Sequence, residues 1–381
     1  MSPEHYMQRC LELAKLGAGY VAPNPMVGAV LVHGDKIIGE GWHQQYGEAH
    51  AEVNCIDSVK DKDKQFISQS TLYVSLEPCA HFGKTPPCAD LIIKNKISTV
   101  IIGCRDPFDK VNGKGIEKLE AAGVKVEVGI LEKECKELNK RFFTFHTKHR
   151  PYVVLKWAQT EDGKIASLNP SEGGTLDPDS FDIHDNKMPT LPTDSKNPPK
   201  ECREARLLIS NEYSNRLVHQ WRSEEAAILV GTNTALMDDP ELTTRLWPGK
   251  SPVRLVVDMS LKLPANLKVF NKQVRTIVFN TMKQEEDGNL LYYKLTKEAG
   301  LVQQILNALY QLKIQSVLVE GGAKLLQSFI DEGTWDEARI ISTSELIINN
   351  GLNAPILKSA EKTSEQKLLS DKIVTYTLKY S

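Results

Sequence analysis

The chain has 381 residues, long enough for two domains of ordinary size. Lys+Arg 47 against Asp+Glu 49 leaves a formal net charge of -2, without the basic excess of a protein that grips a polyanion, so nucleic acid is not an expected partner. Hydrophobic residues at 41% supply material for real cores, yet no apolar run approaches the roughly 18 residues of a membrane helix, so no membrane partner is expected either.

The opening "MSPEHYMQRCLELAKLG" places apolar residues at helical spacing and lacks the unbroken apolar core of a signal peptide. It predicts an amphipathic helix over 4–17, ended by Gly17. "VGAVLVHGDKIIGEGWH" predicts a hairpin turning at His-Gly-Asp. "AHAEVNCIDSV" reads as helix, and "STLYVSLEPC" as a strand running into a Pro-Cys break. "CADLIIKNKISTVIIGCRDP" reads as helix then buried strand, and "GIEKLEAAGVKVEVGILEKECKELNKRFF" as helix, strand, helix. Strands alternating with helices predict a three-layer α/β sheet.

A second unit begins near "RPYVVLKWAQTEDGKIA" and alternates again. Strands are expected in "AAILVG", "PVRLVVD", "RTIVFN" and "SVLV", a helix around 297–312, another after "VEGG", and a closing strand pair at the C-terminus. The expected division is 1–147 and 151–381. The segment at about 167–205 is rich in Pro, Asp, Ser and Asn and has no apolar period, so it is expected to be a flexible insertion. The 7 cysteines are odd in number and scattered, unlike a secreted disulfide scaffold. Thiols kept reduced, and hence the cytoplasm, are expected.

Two segments carry the chemistry. His50 and Glu52 stand in H-x-E order, and Cys79 and Cys88 each follow a proline. Zinc takes nitrogen and sulfur ligands, and a catalytic zinc keeps three protein ligands and an open position. It lowers the pKa of a water to about 7. Glu52, beside the ligands, is placed to take that water's proton and pass it to a leaving amine. H-x-E followed by Pro-Cys and a second Cys is the zinc nucleobase deaminase pattern, here with the cysteines separated by "AHFGKTPP". A lone His-x-Glu is usually a solvated helix pair, and a lone cysteine a small core residue. In this order, each cysteine with its proline, the set points to metal. His33, His43 and especially His81 are rival ligands; Cys10, Cys55, Cys104, Cys135 and Cys202 read as packing or surface residues.

"PNPMVGAVLV", "GEAHAEV" and "LEPCAHFGKTPPC", with "LKWAQTEDGKIA", "VHQWRSEEAAILVGTNTALMDDPELTTR" and "VLVEGGAKLLQSF", closely resemble the bifunctional riboflavin-biosynthesis deaminase–reductase family. The resemblance covers nearly the whole chain outside the insertion. It implies a cytidine-deaminase-like domain followed by a dihydrofolate-reductase-like α/β domain. The implied activities are zinc-dependent deamination of a phosphorylated diaminopyrimidine ribosylamine and NADPH-dependent reduction of its ribose to ribityl. His50, Cys79 and Cys88 fall on the family's zinc ligands, Glu52 on its proton shuttle and Asn24 on its pyrimidine pocket. Ala158, Thr234 and Asp238 fall on nicotinamide-nucleotide contacts, as do Gly322, Ala323, Lys324, Leu325, Leu326, Gln327 and Ser328. Arg222, Leu242, Arg245 and Glu320 fall on substrate contacts. A homo-oligomer is expected.

The residues themselves support part of this. Glu320-Gly321-Gly322-Ala323 follows an apolar strand and opens a helix, where small residues let a phosphate approach free amides. Arg222 and Arg245 are able to fork onto a substrate phosphate, although an arginine taken alone is more often a solvated surface residue. One segment departs from the family: Arg206 and Leu208 replace its usual Ser and Trp, and those two positions are not carried over. Competing readings are a deaminase with a degenerate second domain, a zinc-stabilised binding protein, which would not need Glu52, and an RNA-editing deaminase, which the net charge disfavours.

Overall fold

A computed structural model describes residues 2–82, 86–167, 209–296 and 298–379. The chain divides into two compact units, Met1–Tyr152 with Leu306–Gln315, and Val153–Ile305 with Ser316–Ser381.

In the first unit the helices are α1 (Pro3–Lys15), α2 (Ala51–Asp57), α3 (Cys88–Lys94), α4 (Lys114–Ala121), α5 (Glu132–Leu138) and α6 (Lys140–Lys148). Its strands are β1 (Gly28–His33), β2 (Lys36–Trp42), β3 (Thr71–Leu76), β4 (Thr99–Cys104) and β5 (Lys125–Val128), in the order β2-β1-β3-β4-β5. β1 pairs antiparallel with β2 and β3, whereas β3, β4 and β5 run parallel, with α3 and α4 as crossovers. Successive side chains of a strand leave opposite faces. Ala29 and Leu31 accordingly join Ala51, Cys55, Ala89 and Ile92 on one side, while Val30 and Val32 join Met7, Cys10 and Leu11 on the other. This is the expected three-layer arrangement.

α2 can sit tightly on β2 because Gly39 and Gly41 carry no side chain. A Cβ on Gly39 would lie 2.5 Å from the Cys55 carbonyl oxygen, and one on Gly41 would run into the Cys55 amide. One expected element is split. The helical run "EKECKELNKRFF" breaks at Asn139, whose side chain accepts from the Met26 amide (2.8 Å) and donates to the Met26 carbonyl (2.9 Å). An asparagine side chain competes for backbone partners in this way, and here it pins the "PNPM" loop.

The second unit contains β6 (Tyr152–Gln159), β7 (Lys164–Ser167), α7 (Glu212–Glu224), β8 (Ala227–Val230), α8 (Thr232–Asp238), β9 (Val253–Val257), β10 (Thr276–Asn280), β11 (Glu285–Asp287) and β12 (Leu290–Lys294). It continues through α9 (Leu301–Gln311), whose last residues belong to the first unit, β13 (Ser316–Val319), α10 (Ala323–Asp331), β14 (Glu337–Thr343), β15 (Gly351–Asn353), β16 (Ala360–Leu368) and β17 (Asp371–Leu378). The 10-stranded sheet has the order β11-β12-β10-β9-β8-β13-β6-β14-β17-β16. β12, β10, β9, β8 and β13 are parallel neighbours, and β8, β10 and β13 are buried along their whole length, as parallel strands covered on both faces should be. The closing strand pair is β16 with β17, antiparallel, and β14 joins it to the sheet. The edge hairpin β11–β12 and the β7–β15 ribbon had no sequence signal of their own. Residues 168–208, which hold most of the expected insertion together with Cys202, Arg206 and Leu208, lie outside the described residues.

Candidate active sites of the two units

His50 stands at the N-cap of α2 in extended conformation, and Glu52 follows in the first turn. Cys79 comes just after β3, and Cys88 opens α3. The helix start ties the two cysteines together: the Cys88 amide donates to Cys79 Sγ (3.3 Å) and the Ala89 amide to the Cys79 carbonyl (3.1 Å). His50 Nδ1 lies 3.6 Å from Cys79 Sγ and 3.4 Å from Cys88 Sγ. Among the described residues His50, Cys79 and Cys88 form a group whose ligand atoms all lie within 4.8 Å of one another. One imidazole nitrogen and two sulfurs at that spacing match the preference of zinc.

The electrostatics suit proton traffic. Hydrogen bonding to Cys88 above all, with His50 adding to it, lowers the Cys79 thiol, while the Cys88 thiol is raised by the same bond. The pair thus favours the thiolate form at Cys79, the form in which a cysteine binds a metal. Glu52 is buried, and burial, reinforced by the Cys79 charge, pushes its carboxyl up to about 7. A carboxyl poised there accepts and returns a proton near neutral pH.

The group opens onto a cavity of about 510 Å³, lined in part by Asn24, His43, His81, Asp106 and Phe108. The Asn24 amide Nδ2 donates to His43 Nε2 (3.1 Å), so His43 is protonated on Nδ1 and gives that hydrogen to the Ala49 carbonyl (3.0 Å). His43 is thus committed to Asn24 rather than to the metal. His33 stacks on Phe66 at 4.5 Å, and His81 lines the cavity with Nδ1 unbonded. Asp106, which sequence reasoning passed over, is buried beside them and burial pushes its carboxyl up to about 7. Glu77, inside the same "LEPC" motif, has a different task. Its carboxylate accepts from the amides of Asp106, Gly113, Gly115 and Ile116, anchoring the segment after β4 to the end of β3. Cys10, Cys55, Cys104 and Cys135 are all buried packing residues.

In the second unit Glu320 follows β13, and its carboxylate receives a two-pronged bond from Arg222 near the end of α7: Nε to Oε1 at 2.8 Å and Nη2 to Oε2 at 2.7 Å. Arg222 Nη1 also donates to the Thr243 carbonyl (3.2 Å). Leu242 has φ +54° and buries its side chain against Ile228, Val230 and Val256. Arg245 is exposed and forms no ion pair among the described residues. Thr234, in α8, lies against the turn before α10: a Cβ on Gly321 would be 2.7 Å from Thr234 Cγ2. Asp238 ends α8, and Ala158 lies in β6 beside Ile341. Gly322 is the N-cap of α10 at φ +76°, without a side-chain cap bond, and a helix start of this kind favours an anion. A nucleotide phosphate fits this turn. Further along, Leu325 and Leu326 are buried, the Ser328 hydroxyl bonds the Lys324 carbonyl, and Gln327 takes the Ile356 amide.

Known proteins carry the same two halves. Residues 1–104 match the cytidine and deoxycytidylate deaminase zinc-binding region, and residues 151–351 match the RibD C-terminal domain. The riboflavin biosynthesis protein RibD of Aquifex aeolicus is 39% identical over 92% of this chain and 89% of its own. The chain belongs to this family. RibD of Bacillus amyloliquefaciens is 37% identical over 96% of this chain and 90% of its own. The crystal structure of a diaminohydroxyphosphoribosylaminopyrimidine deaminase/5-amino-6-(5-phosphoribosylamino)uracil reductase from Thermotoga maritima superposes with a TM-score of 0.79, at 35% identity and 98% coverage of both chains. The protein is a bifunctional enzyme of riboflavin biosynthesis, a zinc-dependent deaminase joined to an NADPH-dependent reductase. Its second domain is an intact reductase domain rather than a degenerate remnant. Among the described residues no helix is long and apolar enough to cross a membrane.

Proposed function

We propose that the first domain, 1–147, hydrolyses an amino group from 2,5-diamino-6-(5-phosphoribosylamino)pyrimidin-4-one, and that the second, 151–381, reduces the ribose of the product to ribityl. The observation that carries the first half is the meeting of His50 Nδ1, Cys79 Sγ and Cys88 Sγ beside a buried glutamate. His50, Cys79 and Cys88 would hold the zinc, which when bound would supply the Lewis acidity for activating a water. Glu52 takes the proton and hands it to the departing ammonia, work suited to a carboxyl pushed up to about 7. Asn24, with its Nδ2 fixed by His43, leaves Oδ1 to accept from a pyrimidine amino group.

For the second half, NADPH supplies a hydride. The first-turn amides of α10 and the Gly321-Gly322 turn, beside which Thr234 of α8 stands, would hold a phosphate of the nucleotide, and Asp238 of α8 and Ala158 of β6 are proposed to contact the same cofactor. Lys324, Leu325, Leu326, Gln327 and Ser328 belong to that nucleotide segment, and the buried leucines contribute through their backbone. Glu320 accepts from a substrate hydroxyl, Leu242 offers backbone, and Arg245, free of ion pairs, takes the substrate phosphate. The chain is expected to work in the cytoplasm as a homo-oligomer, with neither nucleic acid nor membrane as partner; light scattering of the purified enzyme checks the assembly. The decisive experiment incubates the enzyme with the pyrimidine substrate, with and without NADPH, and weighs the products. Deamination without NADPH and reduction only with it is the expected outcome. An unchanged substrate in a zinc-loaded preparation would contradict the reading.

A further inference from the structure

The cavity beside the metal group has a wall that comes from far along the chain. By sequence order α9 belongs to the reductase half, yet Leu306–Gln315 is part of the first unit. Three contacts tie it there. The Tyr310 ring lies 4.8 Å from that of Phe145 in α6. The Tyr310 hydroxyl is 3.1 Å from Nδ1 of His149, the residue that ends α6. The Tyr152 amide donates to the Gln315 carbonyl (2.9 Å). Tyr310, Lys313 and Gln315 all line the cavity of about 510 Å³. A row of rings joins them to the metal side. From His81, in the loop between the two cysteines, it runs to Phe108 (6.2 Å) and on to His146 (4.9 Å). His146 packs on Phe145 (5.4 Å), and Phe145 on Tyr310. Lys313 closes the row, its Nζ 5.4 Å from the centre of the Tyr310 ring.

The charges of the cavity single out Lys313. Glu48, Glu52, Glu77, Asp106 and Asp109 all line it, and Lys313 is the only lysine or arginine among its described lining residues. A phosphate entering among so many carboxyl groups is repelled unless a cation offsets them. Lys313 is exposed and forms no ion pair among the described residues. Its field reaches inward: burial chiefly lowers the His146 imidazole, and Lys313 adds to that effect against the opposing charge of Asp109. The backbone is also telling. Lys313 stands just past the end of α9 at φ +60°, with its amide bonded to the Tyr310 carbonyl (3.1 Å) and the Ile314 amide to the Leu309 carbonyl (2.9 Å). A helix end of this kind favours glycine. Here it carries a charge instead.

We propose that Leu306–Gln315 is a working part of the deaminase, and that Lys313, at the exposed end of its cavity, makes the site prefer a phosphorylated pyrimidine ribosylamine over the unphosphorylated compound. This rests on the deaminase reading above. A residue within the reductase half of the sequence thereby sets the specificity of the other reaction.

The test measures ammonia release by the zinc-loaded full chain without NADPH, from the pyrimidine substrate with and without its 5′-phosphate. The parent is read first. No ammonia from either compound would overturn the deaminase reading itself, whereas equal KM for the two would overturn this proposal alone. Lys313→Gly suits the left-handed backbone and removes the charge. It is expected to raise KM for the phosphorylated substrate about fivefold, the factor that one exposed charge pair at contact supplies in water. KM for the unphosphorylated compound should hold. Lys313→Arg should keep the parent's preference, and Lys313→Glu should raise KM beyond the glycine variant. Added salt should narrow the gap between the parent and Lys313→Gly, because an exposed charge is screened. Zinc content, melting temperature and NADPH oxidation of the same preparations check that each variant is folded. KM rising equally for both compounds, or staying at the parent's value in Lys313→Gly and Lys313→Glu alike, would overturn the proposal.

Discussion

At the residue scale, neighbours of like chemistry have been given opposite tasks by their surroundings. Glu52 and Glu77 are both buried carboxyls in the first unit. Glu77 is saturated by four backbone amides and acts as an anchor, whereas burial beside Cys79 leaves Glu52 titrating near neutral pH. Glu52→Gln keeps the shape and removes the shuttle, so it is expected to retain zinc and lose deamination by about a hundredfold or more. Metal analysis alongside turnover checks this, and near-normal turnover would mean that the proton travels another way. Cys79→Ser or Cys88→Ser should instead lose metal and deamination together. In the second unit Arg245 and Arg222 differ in the same manner, one free and one committed. Arg245→Ala should lower kcat/KM of reduction by about tenfold or more while NADPH affinity holds; an equal loss of NADPH affinity would move Arg245 to the cofactor side.

At the scale of elements, the deaminase site depends on how closely α2 lies on β2. Gly39 and Gly41 face the backbone of Cys55, three residues past Glu52, and leave no room for a methyl group. Gly41→Ala should push the helix outward, taking His50 and Glu52 with it. Overpacking of this kind costs about 1–3 kcal/mol, so a lowered melting temperature with weakened zinc binding is expected. A variant with the parent's stability and metal affinity would show that α2 adjusts without moving its ligands. The break at Asn139 follows the same logic: a side chain that holds Met26 from both sides fixes the loop carrying Asn24 at the expense of one continuous helix.

At the scale of the whole molecule, each unit has its own sheet and its own set of functional side chains. The metal group lies in Met1–Tyr152, and the reductase residues named above lie in the other unit. A chelator should therefore abolish deamination while the same sample still oxidises NADPH when given the deaminated substrate. Parallel loss of both activities, restored together by zinc, would show that the metal supports the second domain as well.

Ligand types and their order were legible in the sequence because a metal dictates donors and a proline before each cysteine dictates local backbone. The alternation of apolar runs likewise announced the layers of both units, since burial on two faces demands continuous apolar strands. Other features could not be read in this way. Asp106 and His43 reach the cavity through burial and hydrogen bonds to residues 2 to 29 positions away, and no local pattern encodes such neighbours. The sequence around Arg222 gives no sign of its ion-pair partner, because its spacing says only that it ends a helix. The tertiary structure brings Glu320 to it from 98 residues further along the chain. Sequence by itself settled which chemical groups and which periodicities this protein carries, because those are properties of single residues and their near neighbours. Which carboxylate is anchored by amides, which arginine is already paired and which thiol is held toward its thiolate form were decided only by the fold, because charge and hydrogen bonding are set by whatever else is buried alongside.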